Sequence, residues 1–283
     1  MVDTTHLIKY FSDRLCLEPI GCLPLSLDGA RVGWVSPAFA AALRAFPATF
    51  ACSPSGVAFA ATGAGLTDAM AAVCESLCGD GWFPGWRGER FAFTPRGGGR
   101  PLFDMERGAF RRFGLMSCAV HLNGYADGGD AMWVARRSDS KAVDPGRWDN
   151  LAGGGVTAGE QPRRTLLREA EEESGVPASL SAQARYLGQC RVCRAVDDGF
   201  HDECLYLYDL DLPAGFAPVG RDGEVAEHAL LGIEQVLAQI VADRFTVDAA
   251  LVIVWSLLQR GVWPAPLAAE LHAMLRRLTE SSA

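Results

Sequence analysis

The sequence predicts an α+β protein in two parts, a smaller α+β region over residues 1–110 and a larger region over residues 111–283. Short apolar runs with strand character alternate with longer runs in which apolar residues recur every three or four positions, as in amphipathic helices. In the second region a glycine loop leads directly into a helical stretch, and further helical stretches close the chain. This order of elements favours a mixed sheet with helices on both faces.

The first region combines helical and strand-like stretches and ends near a run rich in glycine and proline. Residues 95–101 read PRGGGRP, a composition typical of a connection, so we expect a domain boundary between residues 95 and 112. The elements predicted before it are helices over 37–46 and 66–77 and strands over 57–60 and 90–93.

The second region alternates strands and helices around turns rich in Asp and Gly at 127–130 and 197–199. In the helix predicted over 161–174, Pro162 occupies the first turn, where proline is tolerated, and Gly175 suits a left-handed stop. The predicted strands cover residues 115–122, 131–136, 184–194, 204–210 and 226–231, and the other predicted helices cover residues 234–242, 247–259 and 266–278.

The helix over 161–174 concentrates carboxylates on one face. At about 100° per residue, Glu169, Glu172 and Glu173 lie at i, i+3 and i+4. Like charges at these spacings destabilise a helix by about 0.2–0.5 kcal/mol per pair, a cost that a bound cation would remove. Carboxylate oxygens suit Mg²⁺ or Mn²⁺. Acidic runs on helices are usually solvated faces, so the spacing alone leaves both interpretations open.

A longer pattern around this helix favours the metal site. Gly154, Glu160 and residues 168–176 fit the pattern G-x5-E-x7-R-E-U-x-E-E-x-G-U, where U is apolar. This stretch resembles the signature of the Nudix hydrolases, which cleave diphosphates linked to another group and use a divalent metal. The resemblance implies that the predicted mixed sheet is the αβα sandwich of that family.

The resemblance also implies roles for individual residues. Glu160 and Arg168 are expected to brace the helix against the glycine loop, and the general base is left open because it varies in this family. The predicted catalytic residues are Glu169, Glu172 and Arg168, and the predicted ligands of Mg²⁺ or Mn²⁺ are Glu169, Glu172, Glu173, Glu224 and the carbonyl of Gly153.

Glu224 enters that set from a second segment. It lies in a loop before the strand over 226–231, where the family often supplies one more glutamate, and Glu227 is the reserve choice. A plain surface turn is the alternative interpretation.

The segment between the predicted strand at 131–136 and the glycine loop supplies candidate substrate contacts. Arg137 and Lys141 could hold diphosphate oxygens, and Trp133 or Trp148 could pack on an aromatic ring. Asn150, which ends this segment, is a further predicted substrate contact. The alternative is that the tryptophans are core residues and the charges are solvated.

Several segments together point to a subgroup of the family. Residues 81–91, 133–141, 145–154 and 206–213, followed by 222–225, resemble members that join an N-terminal domain to the Nudix domain and whose fungal relatives are fused to thiamine pyrophosphokinase. This resemblance implies hydrolysis of thiamine diphosphate, or its oxidised analogues, to the monophosphate. A pyrophosphatase for ADP-ribose, nucleotide sugars or other nucleoside diphosphates is the alternative. An isopentenyl-diphosphate-type isomerase and a non-catalytic sensor are weaker ones.

Composition limits the partners and the compartment. The net charge of −8, with no basic surface in either region, disfavours nucleic acid. The first residues lack a basic segment followed by an apolar one, and no apolar run reaches the ~20 residues of a membrane span, so we expect a cytoplasmic protein, with a homodimer left open. A zinc site is a weaker interpretation than reduced core thiols for Cys190, Cys193, His201 and Cys204.

Overall fold

The structure is a computed structural model that describes residues 3–96, 98–141 and 143–279. Its first elements are α1 (Thr4–Ser12), β1 (Leu23–Leu27), β2 (Ala30–Val35), α2 (Pro37–Leu43), β3 (Phe50–Ser53), β4 (Gly56–Phe59), α3 (Leu66–Gly79), β5 (Arg90–Phe93), β6 (Phe103–Glu106) and α4 (Phe110–Phe113). They are followed by β7 (Met116–Ala126), β8 (Ala131–Arg137), β9 (Trp148–Asp149), β10 (Ala152–Gly155), α5 (Pro162–Ser174), α6 (Ala178–Ser181), β11 (Arg185–Val196), β12 (Gly199–Asp211), β13 (Val225–Gly232), α7 (Ile233–Val241), α8 (Val247–Gln259) and α9 (Ala265–Thr279).

The first unit, from β1 to α4, is built on a small sheet and a separate hairpin. The strands of the sheet lie in the order β2-β1-β4-β3, and β5 pairs with β6. Aromatic side chains from several elements fill its core, and the Phe39 ring meets the Phe113 ring edge-on at 4.9 Å. This is the smaller α+β domain that the sequence predicts.

The second unit contains a mixed sheet between two helical layers. Its strands follow the order β11-β12-β7-β8-β13, with β10 paired to β7 and β9 paired to β8, and β12 runs parallel to β7. Residues of β7 alternate between the layers: Val120 and Leu122 pack with α5, whereas Ala119 and Tyr125 pack with α8. We call these two sides the α5 face and the α8 face. The predicted αβα sandwich is confirmed.

The division between the units differs from the predicted division into 1–110 and 111–283. The run at 95–101 connects the two strands of one hairpin, because Phe93 pairs with Phe103 and the Leu102 N–H donates to the Phe93 carbonyl. It is therefore a hairpin loop, with Gly97 outside the described residues, and the chain enters the second unit only at β7. At the other end α1 packs in the core of the second unit, through Leu7 and Phe11.

The cysteines of the β11–β12 hairpin lie in separate environments. Cys190 is buried in the core on the α8 face, and the Cys193 thiol donates to Asp202 at 3.4 Å. Cys204 contacts Gln189, and His201 binds Asp248 instead of a thiol. Among the described residues these four side chains do not converge on one point; Cys190 and Cys193 are buried, whereas Cys204 is partly exposed. Over residues 3–96, 98–141 and 143–279, no helix is both long and apolar enough to cross a membrane.

Candidate active site

Helix α5 carries the acidic signature, and local sequence sets its ends. Pro162 occupies its first turn, and Gly175 stops it in the left-handed conformation with φ of 64°. The helix starts one residue after the predicted start at 161 and ends at the predicted Ser174.

The glycines before α5 are required by close packing. A Cβ atom at Gly154 would overlap with the Glu169 carboxylate, and a Cβ atom at Gly155 would overlap with the ring of Phe91. Gly153 is the register partner of His121, and a Cβ atom there would lie 3.1 Å from the imidazole Nδ1. Only glycine lets β10, the α5 carboxylates and the first unit approach this closely.

Arg168 joins the loop to the helix, as the resemblance implies. Its guanidinium lies 3.2 Å from Glu160, 2.8 Å from Glu169 and 3.0 Å from Glu172. Thr165 also donates to Glu160, at 2.8 Å. One cation thus offsets the repulsion between two of the carboxylates and fixes the loop to the first turns of α5.

Glu173 is the most buried of the carboxylates on α5. It accepts a hydrogen bond from the Gly153 N–H at 2.9 Å and is 7% exposed. Burial, together with the neighbouring charge of Glu169, raises the pKa of Glu173 to about 8. Burial also raises the pKa of Glu169 to about 7. These carboxylates are held where their charge is costly unless a cation shares the site.

The loop before β13 brings Glu224 to the same place. Carboxylate oxygens of Glu173, Asp222 and Glu224 all lie within 4.8 Å of one another. The Lys141 ammonium forms an ion pair with Glu224 and lies 3.9 Å from Glu173. Asp222 is an addition that the sequence did not indicate. Carboxylates from two segments are the hard oxygen donors that suit Mg²⁺ or Mn²⁺, so the residues present fit such an ion.

Glu227, the reserve metal ligand, lies away from the carboxylate cluster, whereas two of the predicted substrate contacts lie beside it. Glu227 pairs with Arg136 and stays outside the carboxylate cluster. Lys141 and Arg137 line the cavity beside the cluster, although Arg137 is held by Asp149 at 3.0 Å. The sequence predicts that Lys141 holds phosphate oxygens. In the structure its ammonium instead neutralises carboxylates.

Trp133 and Asn150 lie outside the cavity, and the strand alternation explains why. Trp133 is on the α5 face of β8, because Met132 and Val134 point to the α8 face, and it lines a separate groove with Leu212 and Phe216. Asn150 is buried and is used for internal hydrogen bonds. Trp148, the other tryptophan considered, packs against the core on the α8 face.

A cavity of about 600 Å³ connects the carboxylates of α5 to the first unit. The Arg87 guanidinium from the first unit lies 3.4 Å from Glu224, so this unit reaches the predicted metal site itself. The sequence pointed to residues 81–91 through the subgroup resemblance but not to Arg87 itself. The first unit also supplies Trp82, Phe91, Arg107, Phe110 and Leu115 to the cavity wall.

Away from the glycine loop the cavity has an acidic end, formed by Ser117, His201, Glu203 and Asp248, which we call the acidic chamber. Ser117 donates to Glu203 at 2.7 Å, and His201 Nε2 lies 3.1 Å from Asp248 and 3.8 Å from Glu203. No sequence pattern pointed to this group, because its members come from three elements that only the fold brings together.

Comparison with known proteins agrees with these features. A model described as NUDIX domain matches residues 119–251, and one described as domain of unknown function (DUF4743) matches residues 5–117. The chain is 32% identical over 255 residues to "Nudix hydrolase 24, chloroplastic" of Arabidopsis thaliana. The matched region covers 87% of this chain and 70% of that protein.

Two further relatives match shorter stretches. Identity to "Nudix hydrolase 20, chloroplastic" of the same plant is 34% over 198 residues, covering 69% of this chain and 53% of that protein. Identity to the uncharacterized protein YJR142W of Saccharomyces cerevisiae is 28% over 193 residues, covering 62% and 56%. The chain thus spans about half the length of these two. None of the three names mentions thiamine, so the predicted subgroup stays a prediction. The chain belongs to the Nudix hydrolases, and its Nudix domain follows an N-terminal domain whose residues line the same cavity as the α5 carboxylates.

Proposed function

We propose that this enzyme hydrolyses thiamine diphosphate, or an oxidised analogue of it, to the monophosphate with Mg²⁺ or Mn²⁺. The observation that carries the proposal is that one cavity joins the α5 carboxylates to an acidic chamber beneath the first unit. A diphosphate at the carboxylate end would extend its organic group over β10 towards that chamber.

The carboxylate end has the residues for metal-assisted hydrolysis. A divalent ion held by Glu169, Glu172, Glu173, Glu224 and the Gly153 carbonyl would neutralise the diphosphate and lower the pKa of the attacking water. Arg168 keeps Glu169 and Glu172 in place, and the Gly153 N–H does the same for Glu173. Arg87 and Lys141 add positive charge at the same end of the cavity. Positioning and charge neutralisation are the main sources of rate in phosphoryl transfer.

The chamber end favours a planar, positively charged organic group. Glu203 and Asp248 supply negative charge there, offset in part by Arg194 at 4.0 Å from Asp248, and Phe91, Phe110 and Leu115 supply an apolar wall from the first unit. The thiazolium ring of thiamine carries a permanent positive charge and is aromatic, so it matches both features. Carboxylates at this end would repel a second phosphate group, which counts against dinucleoside polyphosphates.

A substrate panel tests the proposal. With Mg²⁺, the panel compares thiamine diphosphate, oxythiamine diphosphate, ADP-ribose, nucleotide sugars and dinucleoside polyphosphates, and chromatography identifies the products. We expect a thiamine species to have the highest kcat/KM. If ADP-ribose is turned over far better than either thiamine species, the substrate proposal is wrong and the hydrolase assignment stands.

The metal assignment has a matched control on the same helix. Glu173→Gln removes a buried carboxylate, whereas Glu171→Gln alters an exposed one that pairs with Arg221. We expect Glu173→Gln to lower kcat by about 10²–10³-fold and Glu171→Gln to change it less than about twofold. Similar activity in both variants would reject the metal site at Glu173.

The remaining expectations also stay proposals. A cytoplasmic location, no binding to nucleic acid or membranes, and a possible homodimer rest on the sequence alone, and the two plant relatives carry the word chloroplastic in their names. Sedimentation of the purified protein would measure the oligomeric state.

A further inference from the structure

A buried chain of hydrogen bonds determines which nitrogen of His121 carries a proton. Asp209 pairs with Arg260 at 2.9 Å, and as a carboxylate it can only accept. The side-chain amide of Asn123 donates to it at 3.0 Å, and the amide of Asn150 donates to the Asn123 oxygen at 2.6 Å. The Asn150 oxygen, 2.7 Å from His121 Nδ1, is left as an acceptor. His121 therefore carries a proton on Nδ1, and in the neutral imidazole Nε2 holds a lone pair.

His121 faces the substrate side of the sheet and not the α5 carboxylates. It pairs with Gly153 in the ladder, whereas Gly154, next to Glu169, pairs with Val120. Register partners share a face and successive residues alternate, so His121 and Glu169 lie on opposite faces of the β7–β10 ladder. His121 lines the cavity, and its Nε2 makes no hydrogen bond to any described residue.

The lone pair on Nε2 restricts what His121 can contact. It repels phosphate oxygens, which are also acceptors, and it attracts an N–H or O–H donor. On the same face, Ala119 provides a small residue between His121 and Ser117, and Phe91 packs on Gly155. His121, Ala119 and Phe91 all line the cavity, so an organic group that extends from the α5 carboxylates towards the acidic chamber would pass His121.

We propose that His121 is a specificity-determining residue whose Nε2 accepts a hydrogen bond from an N–H group on the heteroaromatic part of the substrate. The proposal deepens the proposed function and rests on it. Asn150, Asn123 and Asp209 act as positioning residues, because they fix the tautomer and do not touch the substrate.

A pair of substrates tests this hydrogen bond directly. Thiamine diphosphate is compared with an analogue in which hydrogen replaces the amino group of the pyrimidine ring. We expect the wild type to prefer the amino compound by about tenfold in kcat/KM, the value of one neutral hydrogen bond of about 1.4 kcal/mol. In His121→Phe the preference should fall below about twofold, with the loss for thiamine diphosphate in KM and not in kcat. An unchanged preference overturns the proposal, and so does an equal fall in kcat on both substrates.

The positioning chain has its own test. Asn150→Leu keeps the imidazole but removes the acceptor 2.7 Å from Nδ1 and leaves the Asp149 carboxylate, 3.9 Å away, as a weaker partner, so the ring can protonate Nε2 instead. We expect a smaller loss of preference than in His121→Phe. Nitrogen NMR of histidine-labelled wild type checks the tautomer without any variant: a ring protonated on Nδ1, whose Nε2 resonance moves when ligand is added, supports the proposal. A resonance for Nε2–H in His121 overturns it.

Failure of the proposed function gives a different result. The wild type would then hydrolyse neither thiamine compound, and the comparison moves to the diphosphate that the panel identifies and its own desamino analogue. A preferred substrate with no N–H donor on its organic group overturns the role of His121.

Discussion

Gly153 and Glu173 form the hydrogen bond that attaches strand β10 to helix α5. The backbone N–H of Gly153 donates to the buried Glu173 carboxylate at 2.9 Å, one turn of helix away from Glu169. Because Gly153 also pairs with His121 in the ladder, the same residue lies between the carboxylates of α5 and the face of the sheet that lines the cavity. Small displacements of β10 therefore affect both ends of the site.

Gly154→Ala should inactivate the enzyme without unfolding it. A Cβ atom there would overlap with the Glu169 carboxylate, which must move away from the position that Arg168 gives it. Displacement of a catalytic group by about 1 Å costs about 10²-fold in rate, so we expect kcat/KM to fall by about that factor. Steady-state kinetics and thermal unfolding measure the two effects separately.

Gly79→Ala is the matched control for that substitution. A Cβ atom at Gly79 would have no neighbour within 4 Å, and the residue ends α3 in the first unit. We expect unchanged kinetics. Activity above half of the wild-type value in Gly154→Ala would show that Glu169 does not pack against this glycine during the reaction.

Without metal, the stability of the protein should fall as the pH rises, and Mg²⁺ should oppose that fall. The folded-state pKa values of Glu169 and Glu173, about 7 and about 8, lie above the unfolded value of 4.5. A carboxyl group with a raised pKa contributes stability below pH 4.5, and that contribution is lost as the pH rises through 7 and 8. Mg²⁺ favours the ionised form and should restore the stability, so the increase in Tm on adding Mg²⁺ should grow from pH 6 to pH 8.5.

Thermal unfolding with EDTA and with Mg²⁺ across this pH range makes the comparison. Glu173→Gln cannot ionise at this position, so its Tm in EDTA should fall less between pH 6 and pH 8.5 than that of the wild type. The difference between the two proteins removes the contribution of all other titrating groups. Parallel curves for the two proteins would contradict the raised pKa of Glu173.

The α5 site could be predicted because its geometry is local. Helical spacing alone places Glu169, Glu172 and Glu173 on one face, and the glycine pattern supplies the close approach of β10. Glu224 comes from another segment, and only the resemblance pointed to it. The structure places its oxygens near those of Glu173.

Other parts of the site depend on contacts that no local pattern encodes. Trp133 lies outside the cavity because its side chain is on the α5 face of β8. The sequence of a strand predicts that side chains alternate, but not which set of side chains faces which layer. The acidic chamber joins β7, β12 and α8, and Arg87 arrives from the other unit. The run at 95–101 has the composition of a linker, but Phe93 and Phe103 pair across it. Such features depend on tertiary packing.

Lys141→Met should make the protein more dependent on metal. The ammonium now neutralises Glu224 and lies 3.9 Å from Glu173, which are also predicted metal ligands. Without it, the metal-free protein carries unneutralised carboxylates and should unfold at lower temperature, while Mg²⁺ should bind more tightly. We expect the Mg²⁺-induced increase in Tm to grow by about 2–4 °C for each kcal/mol by which the free energy of Mg²⁺ binding becomes more favourable. Lys9→Met, which removes an exposed pair with Asp13, is the control and should leave this increase unchanged. An equal response in both variants would separate Lys141 from the metal site.

Arg87→Gln should weaken substrate binding while leaving stability almost unchanged. Its guanidinium comes from the first unit, lies 3.4 Å from Glu224, and is 41% exposed, so the ion pair itself contributes little to folding. Beside a diphosphate, however, the same group can donate two parallel hydrogen bonds to phosphate oxygens. We expect KM to rise about five- to tenfold and Tm to stay within about 1 °C. Arg44→Gln, an exposed arginine on the same unit, is the control and should change neither value. If KM in Arg87→Gln equals the wild-type value, Arg87 does not bind the substrate.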